Sequence, residues 1–71
     1  MAYHREELEM ARRALSSTLR KCAKAALSQR PGSPQDTLLK RRIRALEISL
    51  ELIDRELEED GEESGQDPGQ A

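Results

Sequence analysis

Between Leu38 and Leu57 the chain carries two apolar stripes on what reads as one helix, and no two-helix fold can cover both. Leu39, Ile43, Leu46, Leu50, Ile53 and Leu57 step by 4, 3, 4, 3 and 4 residues, which keeps side chains on a single face of an α-helix. Leu38, Ala45, Ile48 and Leu52 make a second stripe. At about 100° per residue it points almost opposite the first. One stripe is expected to form an internal core. The other needs a partner.

Size sharpens that expectation. At 71 residues the chain holds one domain at most, and chains this short rarely build a core worth more than about 3–5 kcal/mol without staples or association. A single cysteine rules out an intrachain disulfide, and one cysteine with one distant histidine offers no zinc-ligand spacing. One Tyr and no Trp or Phe leave little aromatic area to bury. Charged residues make up 37% of the chain, yet the net charge is only −2. Neither a polycation for nucleic acid nor an acidic tail protein has that balance. The start, Met-Ala-Tyr-His-Arg-Glu-Glu, has no apolar signal segment, and no run approaches the ~18 residues of a membrane span. With one reduced thiol, these features lead to an expected cytoplasmic location and no membrane partner.

Residues 5–29 read as the first helix. They contain no Gly or Pro and have an acidic start (Glu6, Glu7, Glu9) and a basic finish (Arg20, Lys21, Lys24, Arg30) that suit the helix dipole. Leu8, Ala11, Leu15, Thr18 with Leu19, Cys22 and Ala26 form its narrow apolar stripe. Arg-Pro-Gly-Ser at 30–33 is the turn, because Pro31 breaks the hydrogen-bond ladder and Gly32 readily takes a positive φ. Ser33-Pro34-Gln35-Asp36 then announces a helix: Ser33 as N-cap, Pro34 at the first position, and Asp36 closing a capping box. The second helix is expected over 34–60. Residues 1–4 and the acidic, Gly-containing tail 61–71 are expected to be flexible and disordered respectively. The short connection implies an all-α, antiparallel, coiled-coil-like two-helix hairpin. Its core is expected to be Leu8, Leu15, Leu19, Cys22, Leu39, Ile43, Leu46, Leu50, Ile53 and Leu57.

Such a hairpin is electrically bipolar. Arg20, Lys21, Lys24, Arg30, Lys40, Arg41, Arg42 and Arg44 gather at the turn end, while Glu6, Glu7, Glu9, Glu51, Asp54, Glu56, Glu58, Glu59 and Asp60 gather at the open end. The second helix therefore runs against its own dipole, basic first and acidic last. That pattern suits a partner of matching charge, although long exposed side chains also splay into water at little cost.

No chemistry stands out. Cys22 lies on the inward stripe and reads as a small buried hydrophobe, with His4 about 18 residues away along the helix. The carboxylates sit on solvated faces, and two helices cannot enclose a small molecule. The chain is not expected to be an enzyme, and no cofactor, metal or small-molecule substrate is implied. Lys40-Arg41-Arg42-Ile43-Arg44 offers cations to phosphate, but no aromatic residue interleaves to stack on bases. A nucleic-acid regulator is the weakest of the readings. The strongest candidate site is the second stripe, Leu38, Ala45, Ile48 and Leu52, as a helix face that docks against a partner, with Arg41 and Glu51 at its rim.

One family shares this pattern. Leu19-Arg20 through Ala25-Ala26-Leu27, the short Pro-containing turn, and Arg44-Ala45-Leu46-Glu47 followed by Leu50, Leu52 and Ile53 resemble the small two-helix co-chaperones of bacterial type III secretion needle subunits. The resemblance covers about residues 15–57 and does not extend to the tail after Asp60. It implies a cytoplasmic protein that binds a larger, tetratricopeptide-type helical chaperone and helps to keep a needle subunit unpolymerised. The expected function is thus a protein-binding adaptor or co-chaperone. A homo-oligomeric helical bundle, self-paired through the same stripe, is the alternative.

Overall fold

The computed structural model describes residues 3–65, those from 60 onward by their backbone course only. Two helices account for the fold: α1, Arg5–Leu27, and α2, Pro34–Gly65. They lie antiparallel. The Arg5 guanidinium donates to the Leu57 carbonyl at 3.2 Å, and Arg12 meets Asp54, so the first turns of α1 lie beside the later turns of α2. The molecule is a rod of 51 × 20 × 18 Å with a radius of gyration of 16.1 Å, well above the ~11 Å of a compact chain this long.

α1 starts without a side-chain cap. His4 holds the N-cap position in an extended conformation, and its carbonyl accepts from the Leu8 N–H at 3.0 Å. Glu6 and Glu7 in the first turn supply the negative charge that the open N–H groups favour. Of the segment 1–4 expected to be flexible, Met1 and Ala2 lie outside the described residues. The helix closes at Leu27, two residues before the expected Gln29. Ser28 and Gln29 turn instead into tighter bonds, N–H to Ala25 O at 3.2 Å and to Ala26 O at 3.1 Å. The cause is Pro31, whose ring disfavours helical backbone at Arg30 and so unwinds the turn before it.

Arg30 to Ser33 form a hydrogen-bonded β-turn, Ser33 N–H to Arg30 O at 3.0 Å, with Gly32 at φ 82°. Pro at the second position and a positive-φ glycine at the third are the residues a type II turn requires. The Ser33 hydroxyl accepts from the Asp36 N–H at 3.1 Å, and the Asp36 carboxylate reaches back to the Gly32 N–H at 2.9 Å. This is a capping box displaced by one residue, because the Ser33 N–H is already engaged in the turn.

α2 ends at Gly65, beyond the expected Asp60. The backbone of 61–65 continues α2, and residues 66–71 of the expected tail lie outside the described residues. Gly61 weakens a helix by only about 1 kcal/mol, and the glutamates that follow propagate it well. A ladder-breaking residue appears only at Pro68. α2 consequently overhangs the start of α1 by the stretch after Leu57, about 12 Å of helix.

Leu8, Leu15, Leu19, Cys22, Ile43, Leu46, Leu50, Ile53 and Leu57 are all half-buried. Only Leu39, at 5% exposure, is a buried apolar side chain among the described residues. Two helices meet along a line rather than around a volume, so each core side chain except Leu39 keeps one flank open.

Candidate functional site

Leu39 marks where the α1-facing side of α2 is tightest, and the opposite side is bare. Leu38, Ile48 and Leu52 are 38%, 45% and 56% exposed, and Ala45 is exposed between them. Their positions follow from the helical period alone: with Leu39, Ile43 and Leu46 turned to α1, residues at the other phase must face out. The structure thus brings Leu38, Ala45, Ile48 and Leu52 onto one uncovered strip. Tyr3, Met10 and Leu27 are further exposed large side chains.

The rim of the strip is ionic and changes sign along α2. Arg41 and Arg44 flank its first half, Glu51 its second. Arg44 pairs with Glu47 at 3.3 Å, and Arg55 with Glu51 at 3.4 Å, all four side chains being about half exposed or more. Such i,i+3 and i,i+4 pairs contribute a few tenths of a kcal/mol and exchange readily for other partners. Ser49, whose hydroxyl donates to the Ala45 carbonyl at 2.9 Å, presents no free donor to the strip.

Two features of the charge layout lie outside the sequence reading, a bridge between the helices and the burial of Asp36. Arg12 Nε and Asp54 Oδ1 bridge the two helices, and the carboxylate raises the arginine's pKa, first through that hydrogen bond and then through its charge. The signal for it is faint: Asp54 directly follows a core residue, Ile53, at the edge of the inward stripe. Asp36 is the second. It is 4% exposed, the one buried charged group among the described residues. Its carboxyl is held below the ordinary value of 3.8, chiefly by the Gly32 N–H and then by the Lys40 ammonium 3.1 Å away. This aspartate has its full set of partners and serves the turn.

Open grooves run along the helix seam, one lined by Arg12, Leu19, Leu50 and Asp54, another by Glu9, Arg13 and Arg20. Among the described residues no three His, Cys, Asp or Glu side chains group to hold a metal ion, and no helix is long and apolar enough to cross a membrane. Cys22 is half-buried on α1. The exposed apolar strip of α2 is therefore the surface feature that calls for an explanation. No protein-family model matches the chain, and neither a curated protein nor a solved structure matches it.

Proposed function

We propose that this chain is a protein-binding adaptor that acts by laying the outer strip of α2 against a helical partner and stabilising it. The observation that carries the reading is the exposure of Leu38, Ile48 and Leu52 together on one strip, in a hairpin that buries a single apolar residue, Leu39, among the described residues. Scattered apolar residues are ordinary on surfaces; large aliphatics recurring on one helical phase are the mark of a helix-in-groove contact. About half of each side chain is already covered, so completing the burial contributes roughly 1 kcal/mol apiece. That total falls short of the ~8 kcal/mol of a micromolar complex. The partner must therefore cover more of α2 than these anchors, which suits a concave helical protein better than a short peptide.

The bacterial needle co-chaperones, which the sequence resembles over about residues 15–57, supply a specific form of this proposal. The partner would be a tetratricopeptide-type chaperone, the compartment the cytoplasm, and the outcome a needle subunit held soluble before export. The test is co-expression with the tetratricopeptide-type chaperone encoded nearest to it in the source genome. The wild-type chain and Arg13→Asp, altered on α1 and away from the strip, should co-purify with that chaperone. Ile48→Asp should lose it while keeping its helicity. Equal recovery of Ile48→Asp and wild type would remove the strip as the docking surface, and no recovery of the wild type would remove the co-chaperone assignment.

A further inference from the structure

The strip's charges are arranged so that it matches itself when reversed. From the antisymmetry of α2 we infer that, when no other partner is bound, a second copy of this chain covers the strip with its own α2 in antiparallel register. This rests on the same reading of the strip as a docking surface and names its occupant in the resting state.

The register follows from the heptad. Leu38, Ala45 and Leu52 occupy one apolar seam position, and Arg41, Ile48 and Arg55 the other. In an antiparallel pair the two kinds of seam position pack on each other. Ala45 then meets Ile48 of the second copy, Leu52 meets Arg41, and Leu38 meets Arg55. The small residue faces the β-branched one at the centre. Each flanking leucine lies under an arginine stem whose guanidinium reaches the solvent. Parallel pairing instead stacks Arg41 on Arg41 and Arg55 on Arg55, two like-charge layers in the seam.

The flanks agree. Arg44 and Glu51 occupy the same heptad edge, and in the antiparallel register Arg44 of each copy lies opposite Glu51 of the other. Both are more than two-thirds exposed and now hold only weak neighbours on their own helix, Glu47 and Arg55, so new pairing costs little. The same register carries the overhanging acidic end of α2, from Glu58 on, past Gln35 of the second copy toward its turn, where Arg30 is exposed. The dipole-opposed charge order of α2 is unfavourable in one hairpin and complementary in two. A partner that binds the strip must displace the second copy, so self-pairing sets a threshold for docking.

Sedimentation equilibrium of the full chain tests this, with helicity followed by circular dichroism. The wild type should dimerise. Arg44→Glu and Glu51→Arg should each weaken the dimer by about tenfold at low salt, since each change turns two symmetric attractions into repulsions. The double variant Arg44→Glu/Glu51→Arg should return to within about threefold of wild type. A wild type that stays monomeric into the high micromolar range overturns the inference, as does a double variant no better than the single ones. The outcome is separable from docking: a monomer that still binds a chaperone through Ile48 defeats self-pairing alone, whereas a charge-responsive dimer that binds no chaperone supports it and defeats the co-chaperone reading alone.

Discussion

Gly32 donates its N–H to Asp36 Oδ2 at 2.9 Å, so the residue that reverses the chain is tied to the first turn of α2. Gly32 sits at φ 82°, with open space where a Cβ would go. Any loss on adding a side chain is therefore conformational rather than steric crowding by neighbours. Gly32→Ala should lower stability by about 1–2 kcal/mol, and Ser33→Ala, which removes the hydroxyl cap on Asp36 N–H, by about 1 kcal/mol. Urea denaturation of each variant checks both. The m-value should stay unchanged, because the folded hairpin buries the same surface.

The same aspartate makes the hairpin acid-sensitive. The Gly32 N–H, and after it Lys40, hold its folded pKa below the ordinary 3.8. A depressed pKa means that the folded state prefers the charged form, so the stabilisation is complete above about pH 4. It is lost as pH falls from there through the lowered folded value. Asp36→Asn cannot titrate and should be less stable than wild type at pH 7, with the gap closing below pH 4. Thermal melts from pH 7 to pH 2 read this directly. A constant difference across the range would mean that Asp36 acts through shape alone.

Arg12 and Asp54 tie α1 to α2 on the solvent side of the seam, where both side chains are nearly half exposed. Solvent and salt screen a pair so placed, so its contribution is small. Arg12→Ala should lower the melting temperature slightly at low ionic strength and by less at 1 M salt. A double-mutant cycle with Asp54→Ala should give a coupling that shrinks with salt. A coupling that ignores salt would indicate packing by the arginine stem instead.

Much of this architecture is legible in the chain because each determinant is local. Pro31 and Gly32 specify the type II turn, Ser33 and Pro34 the start of α2, and the 4-3 spacing from Leu39 to Leu57 its inward face. Departures arise where a local signal competes with a neighbour. Asp36 was expected to cap Ser33, but the turn had already claimed the Ser33 N–H, so the carboxylate moved one residue back. Helix α1 stops at Leu27 because Pro31 acts on residues before it, and α2 passes Gly61 because one glycine is a small penalty in a long helix. The Arg12–Asp54 bridge depends on the rotation of two helices about their axes, which no single-helix pattern specifies. For the candidate site, periodicity gives the phase of Leu38, Ala45, Ile48 and Leu52, but what covers them depends on another surface.

The two faces of α2 can be separated by one pair of substitutions. Leu46 is half-buried against α1, and Ile48, two residues on, is 45% exposed on the opposite side. A carboxylate at 46 would have to be desolvated between the helices without a partner, whereas one at 48 stays in water. Leu46→Asp should therefore unfold the hairpin, with helicity by circular dichroism collapsing at 25 °C. Ile48→Asp should keep nearly wild-type helicity at low concentration, where association contributes nothing. Leu39→Ala gives an internal scale, since truncating this buried aliphatic should cost about 2–5 kcal/mol. If Ile48→Asp melts the fold as badly as Leu46→Asp, the outer strip is part of the core and cannot be a docking face.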